Sequence, residues 1–160
     1  MTLTKIKICD NAELRNELDA LYGITNQVIL TRWASLLAKH MLDLAGIDYS
    51  NNDVILDSFD ISREWQNGLV SVHDVRQSCF RVHQIARQTE DIVERTVYRV
   101  VGQSVAVCHM PEHAMVASDY AVKVVNLLYP DDEGAVTAER RWQIDKLKLL
   151  VAKHTTSSAN

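Results

Sequence analysis

Residues 71–88 read SVHDVRQSCFRVHQIARQ, and their spacing decides the fold class. Val72, Val75, Cys79, Val82, His83 and Ala86 return every three or four residues, the period of a helix with one face turned inward. Asp74, Gln77, Arg81, Gln84 and Gln88 fall on the other faces. A half-buried strand would alternate every second residue, and this stretch does not. It predicts a helix from about Ser71 to Gln88.

The same period continues in both directions. Downstream, Val93, Val97, Val100, Val101, Val105 and Cys108 form a stripe. They predict a helix beginning near Thr89, with Glu90 and Asp91 in the first turn, where the helix dipole favours anions. Valine lowers helix propensity, but the stripe and the polar face (Glu94, Arg95, Arg99, Gly102, Gln103) still decide for helix. Pro111 suits the first position of the next helix, which carries Ala114, Ala117, Ala121, Val124, Val125 and Leu128. Its small residues permit close approach and place it at the centre of a bundle. A loop over Tyr129–Gly134 precedes a last helix over about 135–153.

Upstream, Val54, Ile55 and Phe59 predict a helix ending at Gly68. Trp33, Leu37, His40 and Leu44 share a stripe on a helix that Thr25 can cap and Gly46 closes. Asp10 and Glu13 have capping-box spacing before a first helix over about 11–22. Residues 2–8 (TLTKIKI) alternate, yet no second strand exists to pair with them, so an extended arm or a frayed helix start is expected. Only 5 Gly and 2 Pro occur, too few for the many tight turns of an all-β fold. Short loops imply antiparallel neighbours. The expectation is one all-α domain over residues 1–154, an antiparallel bundle of six or seven helices, with a disordered tail at 155–160.

Apolar residues make up 47% and charged residues 24% of the 160-residue chain, the balance of a soluble globular domain. The net charge of −4 argues against a basic nucleic-acid surface. Arg76, Arg81, Arg87, Arg95 and Arg99 cluster, but the span 65–108 holds 5 bases against 4 acids, which reads as a solvated, salt-bridged face. Between 43 and 64 the acids are Asp43, Asp48, Asp53, Asp57, Asp60 and Glu64, against Arg63 alone. A patch of that kind suits solubility or a basic partner. Three cysteines, Cys9, Cys79 and Cys108, are odd in number and lack CxxC spacing, so a reducing cytoplasm is expected. The N-terminus has no apolar signal region and no run is long enough to span a bilayer.

Catalytic motifs are absent: no GxSxG, Walker loop, GxGxxG, HExxH or EF-hand occurs. His109 and His113 have the spacing of a zinc pair, but Pro111 between them breaks the helix that would put them on one face. The better reading is that they hydrogen-bond across a helix corner and tie two helices together. His83 lies in an apolar stripe, where a histidine is more often a satisfied core residue. Cys79 and His83 are an i, i+4 pair, yet Cys79 reads as buried rather than as an activated nucleophile.

Residues 65–123 carry a recognisable pattern. It runs Trp65-Gln66-x-Gly68, then His73-Asp74-Val75-Arg76-Gln77, then Phe80-x-Val82-His83-x-x-Ala86-Arg87. Gly102, Ala106, His109, His113-Ala114 and Ala117-Ser118-Asp119-Tyr120-Ala121-x-Lys123 complete it. This pattern resembles the immunity-protein family linked to bacterial polymorphic-toxin loci. Gln103 and the valine-rich helices depart from the family pattern. The resemblance implies a cytoplasmic all-α protein that binds and neutralises a cognate protein toxin by occlusion. With no catalytic motif, no basic stripe and no long apolar run, no catalysis, cofactor, nucleic acid or membrane is expected. Arg76, His83, Arg87, His109, His113 and Tyr120 are the candidate binding residues, and a homodimer is left open. The alternative is a metal-binding or hydrolytic helical protein using the His83, His109 and His113 region.

Overall fold

Asn11, Asn26, Asn52, Ser71 and Asp91 each turn a side-chain oxygen onto a backbone N–H three residues on, and each starts a helix. In the computed structural model, which describes residues 1–157, seven helices and no strand are present among the described residues. They are α1 (Ala12–Gly23), α2 (Gln27–Leu44), α3 (Asp53–Gln66), α4 (Val72–Gln88), α5 (Ile92–Ala106), α6 (His113–Leu128) and α7 (Glu133–Ser157). The chain is an all-α bundle. No described helix is long and apolar enough to cross a membrane.

Every expected helix is present, with its ends moved by the caps. Ser71 and Asp74 close a reciprocal capping box on α4. Asn11 rather than Asp10 caps α1, because the Asp10 carboxylate is held by Arg140. Asn26 caps α2 in place of Thr25, whose hydroxyl instead donates to the Leu21 carbonyl. Asp91 caps α5, so Thr89 and Glu90 precede that helix. Gly46 and Gly68 hold the left-handed backbone that ends α2 and α3, with φ of +66° and +69°. Helix α7 runs to Ser157, so residues 155–157 extend it; the remainder of the expected tail, 158–160, lies outside the described residues. Residues 2–8 form an arm without regular structure, tied down where Asn126 exchanges hydrogen bonds with the Cys9 backbone.

Helix α5 is packed against α2, α3, α4 and α6. Val97, Val100, Val101 and Val105 on it are fully buried. Each valine loses a few tenths of a kcal/mol of helix propensity but gains roughly 1.5–3 kcal/mol by burial, so burial wins. Ala117, Ala121 and Val124 of α6 join Leu37, Met41 and Leu42 of α2 in the same core cluster. A second cluster surrounds the fully buried Trp33, with Leu18, Leu30, Met115 and Leu147. Its indole N–H donates to the Gln143 carbonyl at 2.9 Å.

Candidate functional site

One stripe of α4 is Arg76, Phe80, His83 and Arg87, spaced four, three and four residues apart, with His83 at the edge turned toward α5. Phe80 is 64% exposed in the middle of that stripe. His83 lies against α5 at Gly102, where a Cβ would come within 2.5 Å of the ring carbon Cε1. The glycine therefore makes room for the imidazole between the helices.

Arg99, on α5, places Nη1 3.0 Å from His83 Nδ1. A guanidinium only donates, so Nδ1 accepts and the ring proton sits on Nε2. Burial, and then the charges of Arg99, Arg87 and His113, push the His83 pKa down to about 4. The ring is neutral at neutral pH. His113, at the start of α6, puts Nδ1 2.6 Å from Gln103 Oε1 and so joins α6 to α5. His109 lies on the turn between these helices, its ring centroid 5.1 Å from that of His113. Its buried Nδ1 has no hydrogen-bond partner among the described residues. Burial lowers the pKa of His109 and then Arg76 adds to it. Burial followed by the charges of His109 and Lys5 lowers that of His113.

Five of the six candidates thus share one electrostatic neighbourhood: Arg76, His83, Arg87, His109 and His113. Tyr120 packs half-buried against the core cluster, two helical turns along α6 from His113. The expected salt-bridged face is only partly present. Arg81 pairs with Asp57 at 3.3 Å and Arg95 donates to the Thr89 and Glu90 carbonyls. Among the described residues, Arg76, Arg87 and Arg99 have no carboxylate within ion-pair distance. The result is a set of arginines on α4 and α5 beside the histidines, with the exposed Phe80 ring among them.

The metal-site alternative does not assemble. His83 is turned to Arg99 and His113 to Gln103, and among the described residues no three of His, Cys, Asp and Glu are grouped to hold a metal ion. Burial pushes the Cys79 thiol up to about 12 and the Cys108 thiol up to about 11, which leaves almost no thiolate at neutral pH.

Spacing did not reveal the most polar part of the interior. Arg140 of α7 is fully buried. It donates through Nε and Nη2 to the Asp10 carboxylate, at 2.9 and 2.6 Å, and through Nη2 to Asp119 Oδ1 at 2.8 Å. Its Nη1 meets Ser118 Oγ and Gln143 Oε1. Arg15 of α1 holds Asp119 from the other side, Nε to Oδ1 at 2.9 Å. Burial opposes the Arg140 charge, but the hydrogen bonds and charges of Asp10 and Asp119 outweigh it and raise the pKa. The one sequence signal was Ser118-Asp119 beside the small-residue stripe of α6, in the quoted family pattern. This network fastens the N-terminal arm, α1, α6 and α7 together. A cleft of about 430 Å³ beside it is lined by Asp10, Asp131, Asp132 and Glu133 and holds none of the six candidates.

Neither a curated protein nor a solved structure matches the chain at a significant level. A family model described as "Imm-5 like putative immunity protein" matches residues 20–150, which span α2 to α6, the end of α1 and most of α7. The chain belongs to that family of Imm-5-like immunity proteins.

Proposed function

We propose that this protein binds a cognate bacterial toxin in the cytoplasm and neutralises it by occlusion, without catalysis, and that the α4–α5–α6 face makes the contact. The observation that carries the reading is the gathering of Arg76, Arg87 and Arg99 around three histidines, with no carboxylate in ion-pair contact with any of the three arginines among the described residues. Such a face matches an acidic surface, and the exposed Phe80 supplies an apolar anchor at its centre. Helices pinned by the His83–Arg99 and His113–Gln103 contacts present these groups in fixed positions, which limits the ordering loss on binding. Tyr120 acts by supporting α6 from beneath.

The partner of this reading is the toxin encoded beside the gene, as in polymorphic-toxin loci. Co-expression of the two should restore growth and yield a copurifying complex. Phe80→Ala combined with Arg87→Glu should lose the rescue while the protein stays folded by circular dichroism. Failure of the intact protein to rescue would overturn the proposal.

A further inference from the structure

A second surface lies between α2 and α7, on helices that take no part in the α4–α5–α6 face. It is a groove of about 340 Å³ lined by Leu36, Lys39, His40 and Asp43 from α2 and by Trp142, Lys146, Leu149, Leu150 and Lys153 from α7. Its floor is fixed. The Trp142 ring stacks on the His40 imidazole with centroids 3.9 Å apart and planes 15° from parallel. His40 Nε2 is 3.0 Å from Glu139 Oε2, and the other Glu139 oxygen accepts from Gln143 Nε2 at 2.7 Å. The aromatic floor is therefore anchored in the buried network around Arg140.

The walls and rim have opposite characters. Leu36 and Leu149 are 41% and 48% exposed, which leaves apolar side chains facing water beside a flat ring. Lys39, Lys146 and Lys153 outnumber Asp43, and among the described residues none of the three lysines pairs with a carboxylate. Lys39 Nζ sits 5.0 Å from the Phe59 ring centroid and Lys146 Nζ 5.7 Å from that of Trp142. Along α7 the lining residues Trp142, Lys146, Leu149 and Lys153 form one stripe, about 16 Å long at the helical rise. That is about three turns of a partner helix.

We propose that this groove docks an acidic amphipathic helix of a protein partner. The apolar side chains of that helix enter between Leu36, Trp142 and Leu149, and its carboxylates meet Lys39, Lys146 and Lys153. A nucleic-acid backbone would satisfy the lysines but leave the two leucines in water. The surface does not depend on the immunity reading, because the α4–α5–α6 face shares no residue with it.

The test titrates the ¹⁵N-labelled full chain with a synthetic helical peptide of about 14 residues, leucine and glutamate in the i, i+3, i+4, i+7 pattern. The indole N–H signal of Trp142, identified with Trp142→Phe, should shift saturably while those of Trp33 and Trp65 stay in place. Lys146→Glu with Lys153→Glu should weaken binding at least tenfold without altering the far-ultraviolet circular dichroism. A peptide with lysine in place of glutamate should not bind. An unmoved Trp142 signal, an equal response to the lysine peptide, or an equal response to phosphatidylserine vesicles would each overturn the proposal. So would sedimentation of the free protein as a dimer that Leu149→Asp disperses, since the occupant would then be a second copy.

Discussion

One missing methyl group sets the α4–α5 contact. In an ordinary exposed helix Gly→Ala gains about 1 kcal/mol. At Gly102 the new Cβ would press on the His83 ring at 2.5 Å, and expelling the ring takes the acceptor from Arg99. Overpacking of this kind costs about 1–3 kcal/mol, enough to reverse the sign. Gly102→Ala should therefore lower stability by about 1 kcal/mol in urea denaturation, yet raise it by about as much in a His83→Ala background. Strictly additive effects would refute the contact. The stripe position of His83 was legible in the sequence, but its opposite number was not, because helical spacing says nothing about which residue of another helix it meets. The same ring has a pH signature. Its folded pKa of about 4 lies below an unfolded value of about 6.5. Between these the unfolded chain holds a proton that the folded chain does not, so stability is complete above pH 6.5 and falls as the pH drops toward 4. His109 and His113 are shifted in the same direction. Asp19 is held below 3.8: burial alone would raise it, but hydrogen bonds from Thr2 and the charges of the N-terminus and Arg15 outweigh that, so its contribution falls in a lower window. After solvent screening of a part-exposed ring, the His83 share is about 1–2 kcal/mol. His83→Gln should flatten the profile between pH 6.5 and 4 by that amount, as read by denaturation at stepped pH.

Helices as elements were readable because each carries its own stripe and its own punctuation, and that information is local. Their exact starts were not, since Asp10, Asn11, Thr25 and Asn26 all offer capping oxygens and tertiary contacts choose among them. What joins the elements was invisible for the same reason. Arg140 and Asp10 are 130 residues apart in sequence and 2.6 Å apart in the fold. A charged residue beside Arg141 looks like part of a solvated face until its partners are known. Removing one member of a buried ionic network leaves the others desolvated and short of a partner, which costs about 3–5 kcal/mol. Arg140→Met fills much of the space but leaves Asp119 with Arg15 alone, so a loss within that range is expected from chemical denaturation. Arg140→Lys should recover little, since an ammonium cannot reach Asp10, Asp119, Ser118 and Gln143 together as the guanidinium fork does. A loss below about 1 kcal/mol for the methionine variant would mean the network orients α7 without stabilising the fold. Two thiols give a separate check on α3, α4 and α5 packing. Cys79 and Cys108 are buried and their pKa values raised, whereas Cys9 is exposed. A disulfide-exchange reagent at pH 8 should titrate one thiol quickly in the native protein and three after denaturation.

At the scale of the whole molecule, charge is sorted by surface rather than spread evenly. The acids between Asp43 and Glu64 lie on and before α3, while Arg76, Arg87 and Arg99 lie on α4 and α5. The family pattern and the candidate residues were legible because they fall in a continuous span; the lack of carboxylates in ion-pair contact with Arg76, Arg87 and Arg99 was not, because composition over 65–108 is nearly neutral and only the fold decides which charges meet. Net charge is −4, so an acidic partner at long range meets weak repulsion. At physiological ionic strength the Debye length is about 8 Å, shorter than the width of the bundle, and the partner then senses the nearest face instead of the sum. Association with the proposed toxin partner should therefore be steered by the arginines. Arg76→Glu with Arg87→Glu should slow association about tenfold and leave dissociation changed much less, as measured by stopped-flow or surface plasmon resonance at 0.15 M salt. Asp53→Asn with Asp60→Asn removes charge from the α3 side and should leave the rate within about twofold. Equal slowing by both pairs would mean that net charge governs the encounter, and no slowing by the arginine pair would move the contact surface away from α4 and α5.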